Sequence, residues 1–539
     1  MTRYRHLITD DNRKWWTLGA MCFALFMIML DNTVVNVALP SIQQDLGASI
    51  SGLEWTINGY TLSFAVLLAT GGRLGDIFGR RLMFMIGVVI FALSSATAGF
   101  APDQTSLVVS RIVQGVGAAL MMPGTLSIIT DAFPAHERGK AMGTWAGVSA
   151  LALAVGPVLG GFLTEHVSWR AIFYINIPVA IGAVAATLFA VRESRDTSVG
   201  REVDYAGVAV LTVGLTALVL ALVEGNAWGW GSPQIIALLV GAAVALPAFV
   251  FVENRVKAPM VQFDLLSDRN FLAAVVVALI ITFAMMGVFF FLALYMQDIL
   301  HYSPLEAGVR FLPSTLMIVG VAPVAGRLSD RFGPRWLIAG GLVLVAASLF
   351  SFSRIAVDSG YLDLLPGFML LGIGIAMTMS PMTSAAMNAV PVQKAGIASG
   401  VLSMFRMVGG SLGIAVTGAI FQTLVSSRLE TLLGGTGVST AQQESISDQL
   451  GGGGVPHVPG LDPGQVNEVA AAGNEAFVYA LSHAMTVSGF VALLGAIIGA
   501  TAIRAKSRDS VSPEAAVAEA NPGGEALAGE EAREAAQPA

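Results

Sequence analysis

Asp31 is the only acidic residue that lies deep inside an apolar stretch long enough to cross a lipid bilayer. A charged side chain at such a depth costs about 2.5–3.5 kcal/mol on insertion scales, so a partner must offset that cost. Arg111 lies at a similar depth in the fourth apolar stretch and can pair with Asp31 if their helices are neighbours. Protonation of Asp31 would weaken this pair and shift a conformational equilibrium. Two other interpretations stay open: a static ion pair or backbone cap at Asp31, and an Arg111 that snorkels to the external interface.

The stretch GRLGDIFGRR, residues 72–81, combines turn-forming glycines with an acid and three arginines. It recurs as GRLSDRFGPR at residues 326–335, which indicates that the chain is duplicated. This composition favours a charge-relay latch at the cytoplasmic surface. Anchoring by positive charge alone would explain the arginines but not the repeated spacing of glycine and aspartate. The candidate latch residues are Gly72, Asp76, Gly79, Arg80, Arg81 and Asp330.

A stripe of small residues marks the fifth apolar stretch, where Ala152, Gly156 and Gly160 share one helix face. Small residues allow the backbones of membrane helices to approach closely, and Pro157 frees a carbonyl group and permits a kink. With the adjacent Gly161, these residues predict a dry, bendable helix contact. The stripe is weak evidence by itself, because membrane helices of unrelated function carry similar ones.

The composition indicates an integral membrane protein. Of the 539 residues, 55% are hydrophobic and 12% are charged, whereas a soluble domain carries about a quarter charged residues. Apolar runs of about 20 residues, each enough to cross a bilayer core, recur along the chain. They predict an all-α protein with fourteen transmembrane helices near residues 15–37, 53–72, 82–100, 106–130, 141–164, 171–191, 205–223, 234–252, 271–295, 307–325, 336–352, 364–387, 397–424 and 477–503.

Lysine and arginine are retained on the cytoplasmic side of a membrane when they lie in short loops. Of the 29 such residues, only Arg170, Arg354 and Arg428 fall in loops that a fourteen-helix count with two cytoplasmic termini places outside. The expected organisation is a cytoplasmic segment at 1–14, a six-helix half at 15–191, two inserted helices at 205–252, a second six-helix half at 271–503 with an external loop at 425–476, and a disordered cytoplasmic tail at 504–539.

Other chemistries find little support in the sequence. The formal charge of -7 argues against a nucleic-acid partner, and the six histidines are scattered without metal-ligand spacing. The single cysteine, Cys22, allows no intramolecular disulfide. No GxxxxGK[ST] loop is present, so we expect no metal and no cofactor, and a proton gradient as the energy source. The glutamates Glu54, Glu165 and Glu224 fall at external helix ends, where acids are more often interfacial than functional.

Three motifs resemble those of the major facilitator superfamily. Residues 72–81 look like its signature loop, residues 110–119 like its fourth-helix motif, and residues 155–161 like the antiporter motif, which is associated with exporters. The stretches LDNTVVNVALP and WRAIFYINIP, with the fourteen-helix count, narrow the resemblance to the drug:proton antiporters of that superfamily. The resemblance covers about residues 15–503.

The resemblance implies two six-helix halves with a binding site at their interface. It also implies that Asp31 and Arg111 couple transport to protons. The residues that would direct export through the antiporter motif are Gly156, Pro157, Gly160 and Gly161.

The substrate cavity is expected in the cleft between the halves. Methionine and aromatic side chains give adaptable apolar contact suited to varied substrates. Lipid-facing or core packing is an equally open interpretation for any one of the apolar candidates. The candidates are Asn36, Asn58, Tyr60, Gln114, Met285, Met286, Phe289, Met404, Phe405 and Arg406.

One departure from the family bears on substrate charge. Members specialised for multivalent organic cations tend to carry extra membrane acids. Here Asn58 occupies a deep position in the second helix, and the tenth and thirteenth helices carry Arg310 and Arg406. A strong preference for dications is therefore not expected.

Together these features predict a proton-coupled antiporter that exports lipophilic or amphipathic small molecules, such as drugs or antibiotics, across a bacterial plasma membrane. No obligatory protein partner is evident in the sequence. A dedicated exporter of one endogenous metabolite, lipid or self-made antibiotic fits the same residues. A membrane enzyme or sensor is a more distant alternative, since the sequence shows neither metal spacing nor a nucleophile elbow.

Overall fold

The computed structural model describes residues 12–195, 202–256, 259, 261, 263–390, 395–434 and 463–503. Regular structure within these residues is helical, with no β-strand among them. Fourteen long helices follow one another: α1 Arg13–Leu46, α2 Ile50–Phe78, α3 Arg80–Gly99, α4 Gln104–Ala132, α5 Ala135–His166, α6 Asn176–Ala190, α7 Tyr205–Trp228, α8 Pro233–Glu253, α9 Arg269–Leu294, α10 Leu312–Phe332, α11 Pro334–Phe352, α12 Tyr361–Asn388, α13 Ala395–Leu433 and α14 Pro463–Ala502. Short helical segments extend three of them: Ala171–Tyr174 precedes α6, Tyr295–Ile299 continues α9 as a π-helix, and Pro304–Arg310 precedes α10.

Within the described ranges, thirteen stretches of helix are long and apolar enough to cross a membrane. The 32-residue α5 completes the fourteen that the sequence predicts. Several helices begin at a side-chain cap, in which an oxygen accepts a hydrogen bond from a free backbone N–H group of the first turn. The capping residues are Ser49 of α2, Asp103 of α4, Asp204 of α7, Ser232 of α8, Asp268 of α9 and Ser303 before α10.

The two copies of the repeated loop share a backbone conformation. α2 ends at Gly79 with φ of 123°, and α10 ends at Gly333 with φ of 83°. A positive φ favours glycine, because any other side chain clashes with its own backbone. The duplication predicted from sequence is therefore also present in the turns.

Helix crossings repeat in the same way. A Cβ atom on Gly87 of α3 would lie 2.8 Å from the carbonyl oxygen of Gly117 of α4. In the second half, a Cβ atom on Gly341 of α11 would lie 2.8 Å from the carbonyl oxygen of Gly374 of α12. Both helix pairs therefore make the same close backbone contact, and α1–α6 and α9–α14 form the two halves. α7 and α8 pack against each other as an inserted pair.

We call the surface where α1 ends and α2 begins the external face, following the orientation predicted from lysine and arginine. At this face α13 continues to Leu433 and α14 begins at Pro463, and Arg428 donates to Glu475 at 2.6 Å. Helix therefore occupies both ends of the predicted external loop at 425–476. The middle of that loop, the first 11 residues, the tail at 504–539 and the side chain of Asp330 lie outside the described residues.

Candidate functional site

Asp31 and Arg111 form a buried ion pair, as predicted. Their side chains are 0% and 1% exposed, and Nη1 of Arg111 donates to Oδ2 of Asp31 at 2.5 Å. The same nitrogen donates to Oε1 of Gln114 at 2.7 Å, and Nε donates to the carbonyl oxygen of Thr56 at 3.0 Å. The guanidinium group thus joins α1, α2 and α4. Snorkelling of Arg111 to the interface is ruled out, since its side chain is fully enclosed.

Two further donors hold the carboxylate of Asp31. Nε2 of Gln114 donates to Oδ1 at 2.9 Å, and Nδ2 of Asn176 lies 3.3 Å from the same oxygen. Asn176 begins α6 and is itself oriented by Ser95 of α3, whose Oγ lies 3.0 Å away. Sequence reasoning missed Asn176 and Ser95. A signal was available for Asn176, because it lies within the motif WRAIFYINIP.

The walls of the pair are aromatic. The guanidinium carbon of Arg111 lies 4.3 Å from the ring centre of Tyr60 and 5.7 Å from that of Phe173. A cation over a ring face gains electrostatic stabilisation that grows when water is excluded. Burial, pairing and ring contact together offset the cost of two charges in an apolar environment.

In this arrangement Asp31 accepts hydrogen bonds from three side chains on α4 and α6. These contacts hold α1 against α4 and α6, so the packing of three helices depends on one carboxylate.

The cytoplasmic loop between α2 and α3 is a charge cluster. Arg80 donates from Nε to Oδ1 of Asp76 at 2.9 Å and from Nη1 to Oδ2 of Asp131, at the end of α4, at 2.8 Å. Nη2 of Arg81 donates to the carbonyl oxygen of Leu188 of α6 at 3.1 Å. Of the predicted latch residues, Asp76, Arg80 and Arg81 lie together here, and their contacts tie α2 and α3 to α4 and α6.

Glu193 completes this loop and was not foreseen from the sequence. Its carboxylate accepts from the backbone N–H groups of Arg81 at 3.0 Å and Leu82 at 3.2 Å, at the start of α3. A Cβ atom on Gly79 would lie 2.6 Å from Cδ of Glu193. Glycine is thus favoured at position 79 by φ, and a larger residue would also displace the Glu193 carboxylate from these N–H groups. Gly72, farther up α2, packs against Pro123, where a Cβ would lie 3.3 Å from that ring.

The antiporter motif on α5 contacts both halves. Gly156 faces Thr33 of α1, where a Cβ would lie 2.7 Å from the threonine Cβ. Gly160 faces Val34, whose carbonyl oxygen would lie 2.8 Å away. Gly161 faces the second half, and a Cβ there would lie 2.7 Å from Cα of Leu305. The predicted close helix contact is present on two sides.

The halves meet on the external side. Nε2 of Gln297 donates to the carbonyl oxygen of Val37 at 2.9 Å, and the backbone N–H of Leu305 donates to Glu165 at 3.0 Å. Farther in, Oγ of Ser411 of α13 donates to Oδ1 of Asn58 of α2 at 2.8 Å.

The apolar core also joins the two halves mainly on the external side. One cluster joins Leu39 and Ile57 of the first half with Phe291 and Phe421 of the second. The cytoplasmic part of the first half has a separate cluster. Among the described residues, Met407 is the one side chain of the second half that packs against this cluster. The protein is therefore closed at the external face.

The predicted cavity residues differ in how deeply their side chains are buried. Met286, Phe405 and Arg406 are half-buried, and the others are buried. The structure places Tyr60 and Gln114 in the surroundings of Arg111 and Asp31 rather than along the cleft, and Asn58 at the seam of the two halves. Met285, Phe289 and Met404 belong to the apolar core, while Asn36 is buried on α1.

The external glutamates differ from expectation in one case. Glu165 accepts from Leu305 and Glu224 accepts from Nε1 of Trp55 at 3.2 Å, both near the surface. Glu54 is 0% exposed, so an interfacial position is wrong for this residue.

The model of the Major Facilitator Superfamily matches residues 21–414, which include the ion pair, the repeated loop and the antiporter motif. The protein belongs to this superfamily. Among solved structures, that of a bacterial homologue of the human lysosomal transporter Spinster, inward-facing and occupied, aligns with a TM-score of 0.62. The alignment covers 93% of this chain and 99% of that protein at 18% identity, which shows a shared transporter fold.

Curated relatives in the superfamily align over most of the chain. The tetracenomycin C resistance and export protein of Streptomyces glaucescens is 35% identical over 93% of this chain and 94% of that protein. The puromycin resistance protein of Streptomyces alboniger is 40% identical over 76% and 82%. The multidrug resistance protein Stp of Mycobacterium tuberculosis is 36% identical over 77% of each chain. The resemblance read from the sequence is confirmed.

Proposed function

We propose that this protein is a proton-coupled antiporter that exports lipophilic or amphipathic small molecules across the bacterial plasma membrane. The observation that carries the proposal is the fully buried pair of Asp31 and Arg111 beside an interface closed at the external face. Relatives whose names describe resistance and export of tetracenomycin C, or multidrug resistance, support the direction of transport. The distribution of lysine and arginine supports a cytoplasmic location for both termini.

The proposed exchange depends on whether Asp31 carries a proton, because a neutral Asp31 would attract Arg111 less strongly. A proton from the external side binds Asp31 while the cleft is open outward, and the weakened pair with Arg111 favours closure of that side. Release of the proton to the cytoplasm restores the pair, and substrate enters the cleft from the same side. Each proton moved inward draws on the membrane potential, which supplies about 2.3 kcal/mol per charge per 100 mV.

Arg406 bears on substrate charge. It lies half-buried on α13 next to Met407, and its buried Nε atom has no hydrogen-bond partner among the residues that the structure describes. A cation at this position disfavours a dicationic substrate and suits neutral or anionic groups. We expect Arg406→Gln to raise the export of dicationic dyes relative to neutral ones.

The experiment is proton movement in inverted membrane vesicles challenged with neutral, monocationic and dicationic dyes. Asp31→Asn should reduce substrate-dependent proton movement at least tenfold, since an amide cannot carry the proton. Asp358→Asn, an exposed acid in an external loop, is the matched control and should behave as the wild type. Normal coupling in Asp31→Asn would make the ion pair static and place the proton site elsewhere.

A dedicated exporter of one compound is the second candidate. It is favoured by the relatives whose names each carry a single antibiotic, tetracenomycin C or puromycin. The same vesicles should therefore also receive these two antibiotics. A response to one antibiotic with no response to any dye would favour the dedicated exporter over the multidrug one.

A further inference from the structure

Glu54 is an acid in an unusual position. It lies near the external end of α2 with its side chain completely buried. Within the described part of the chain, its Oε2 atom has no hydrogen-bond partner, and Oε1 has only a long contact of 3.5 Å with Nε2 of Gln422. A buried carboxylate needs a cation or several good donors to offset its lost hydration. Glu54 has neither among the described residues.

The second half is shaped around this carboxyl group. A Cβ atom on Gly418 of α13 would lie 2.6 Å from Cδ of Glu54, so glycine leaves the space that the carboxyl group fills. Beside it on α2, Trp55 donates to Glu224 of the inserted helix α7. Glu54 is therefore enclosed by the first half, the second half and the inserted pair.

Helix α7 bridges the two halves at this point. On one side, Oγ of Ser51 of α2 lies 3.4 Å from the carbonyl oxygen of Val223. On the other side, Nδ2 of Asn226 donates to the carbonyl oxygen of Ala419 at 3.1 Å, and its Oδ1 accepts from Thr423 at 2.8 Å. We call the seam of α2, α7 and α13 around Glu54 the external gate.

Among the described residues, the cations near the gate are paired with other acids and not with Glu54. Glu224 of α7 is an acid, and Arg428 of α13 is paired with an acid of α14. Arg111 of α4 reaches the backbone of α2 but gives its charge to Asp31. Three other charged or titratable groups of α1, α2 and α4 lie on this side. Asp45 pairs with Arg170, Asp103 caps α4, and Tyr60 lies under the guanidinium group of Arg111.

We propose that Glu54 is a proton-binding site of the external gate, separate from the pair of Asp31 and Arg111. As α2 and α13 come together, the carboxylate of Glu54 takes one proton from external water and is buried as the neutral acid. When they part, the proton returns to the same water. No proton crosses the membrane by this route. An acidic external medium therefore favours the closed gate.

This inference rests on the proposed alternating opening of the cleft, but its test needs neither substrate nor transport. Full-length protein in lipid nanodiscs carries spin labels at Val167→Cys and Leu362→Cys, two strongly exposed external positions in opposite halves, with Cys22→Ala to remove the native thiol. Electron-electron double resonance then gives the ratio of closed to open molecules at about pH 5.5 and about pH 8.5. All variants also carry Asp31→Asn, so that the first proton site is silent.

The expected result is that the closed-to-open ratio falls as the pH rises, by up to about tenfold per pH unit for one linked proton. Glu54→Gln, which keeps shape but cannot ionise, should stay closed at both pH values, with a change below about twofold. An equal pH response with and without Glu54→Gln would overturn the proposal. So would a Glu54→Gln variant that stays open at both pH values. Normal coupling in Asp31→Asn would overturn the proposed function and leave the gate response untouched, whereas a missing gate response with coupling that depends on Asp31 would overturn this inference alone.

A second pair of variants tests the geometry. Gly418→Ala crowds the carboxyl group and should lower the closed-to-open ratio at both pH values. Gly400→Ala lies on the same helix, and a Cβ there would meet nothing within 4 Å, so it should match its parent. An unchanged ratio in Gly418→Ala would show that the gate does not close around Glu54.

Discussion

At the scale of single residues, the hydrogen-bond donors of Arg111 and the acceptor oxygens of Asp31 each find matching partners. Arg111 serves three acceptors on three different residues, and Asp31 receives three donors. Only a guanidinium group offers that many N–H groups in a fixed plane. The pair is therefore specific in geometry as well as in charge.

Removing one charge should be worse than removing both. Arg111→Met leaves a buried carboxylate without a cation and should cost about 3–5 kcal/mol of stability. Adding Asp31→Asn should recover part of that loss, because neither charge then remains unpaired. Thermal denaturation of the purified protein in detergent measures both variants.

The pair of Arg310 and Glu306, at 3.7 Å with side chains 24% and 51% exposed, provides the control. Glu306→Gln should change stability by about 0–1 kcal/mol, because water screens the charge that it removes. Additive losses at Asp31 and Arg111 would mean that the two side chains do not depend on each other.

Asn176 should support the ion pair from α6. It donates to Oδ1 of Asp31 at 3.3 Å and is oriented by Ser95. Asn176→Ala removes this donor and should lower substrate-dependent proton movement several-fold. Asn254→Ala, which removes only a bond to a neighbouring carbonyl group, should leave proton movement unchanged. Equal proton movement in the two variants would show that the ion pair does not need Asn176.

At the scale of helices, α5 is the element that links chemistry to movement. Gly156 and Gly160 hold it against α1, which carries Asp31, while Gly161 and Pro157 face the short helix Pro304–Arg310 that precedes α10. A change in how α1 packs can thus reach the interface between the halves through one helix. This is a physical reason for the small residues of the antiporter motif.

Gly161→Ala should hinder closure of the external face. The added Cβ would meet the backbone at Leu305, and backbone cannot move aside as a flexible side chain can. We expect a several-fold loss of export and a larger open population in the spin-label assay. Gly147→Ala on the same helix has nothing within 4 Å of its Cβ and serves as the control. Equal effects of the two variants would show that helix propensity, not contact, is responsible.

At the scale of the whole molecule, the external face is closed by contacts from both halves and from the inserted pair. The hydrogen bonds between the halves run from Val37 and Glu165 at the surface to Asn58 within the membrane. Helix α7 adds a bridge between α2 and α13. The extra pair of helices therefore takes part in closing the protein.

Locking this face should stop transport. Glu165→Cys with Leu305→Cys, in a Cys22→Ala background, places two thiols where a side chain now meets a backbone N–H at 3.0 Å. A short bifunctional thiol reagent should abolish export, and cleavage of the linker should restore it. The single-cysteine variants treated in the same way should keep their activity. Export that continues in the linked protein would mean that the halves do not separate here.

Much of the fold was determined by the sequence itself. Fourteen apolar stretches, the repeated loop and the antiporter motif predict the helix count, the duplication and the superfamily, because a bilayer leaves helices as almost the only way to satisfy the backbone. The pairing of Asp31 with Arg111 also followed, since two opposite charges at one depth have few alternatives. Helix ends were less predictable. α13 and α14 extend beyond their predicted membrane spans into polar sequence, where hydropathy gives no signal.

Tertiary structure alone decided which side chains meet. Asn176 and Ser95 come to Asp31 from other helices, Glu193 reaches the repeated loop from beyond α6, and Gly418 makes room for Glu54 from the opposite half. Each of these contacts joins residues far apart in the chain. Hydropathy and spacing report the depth of a residue in the membrane. They do not report the direction in which its side chain points around the helix axis, which only packing against a neighbouring helix fixes.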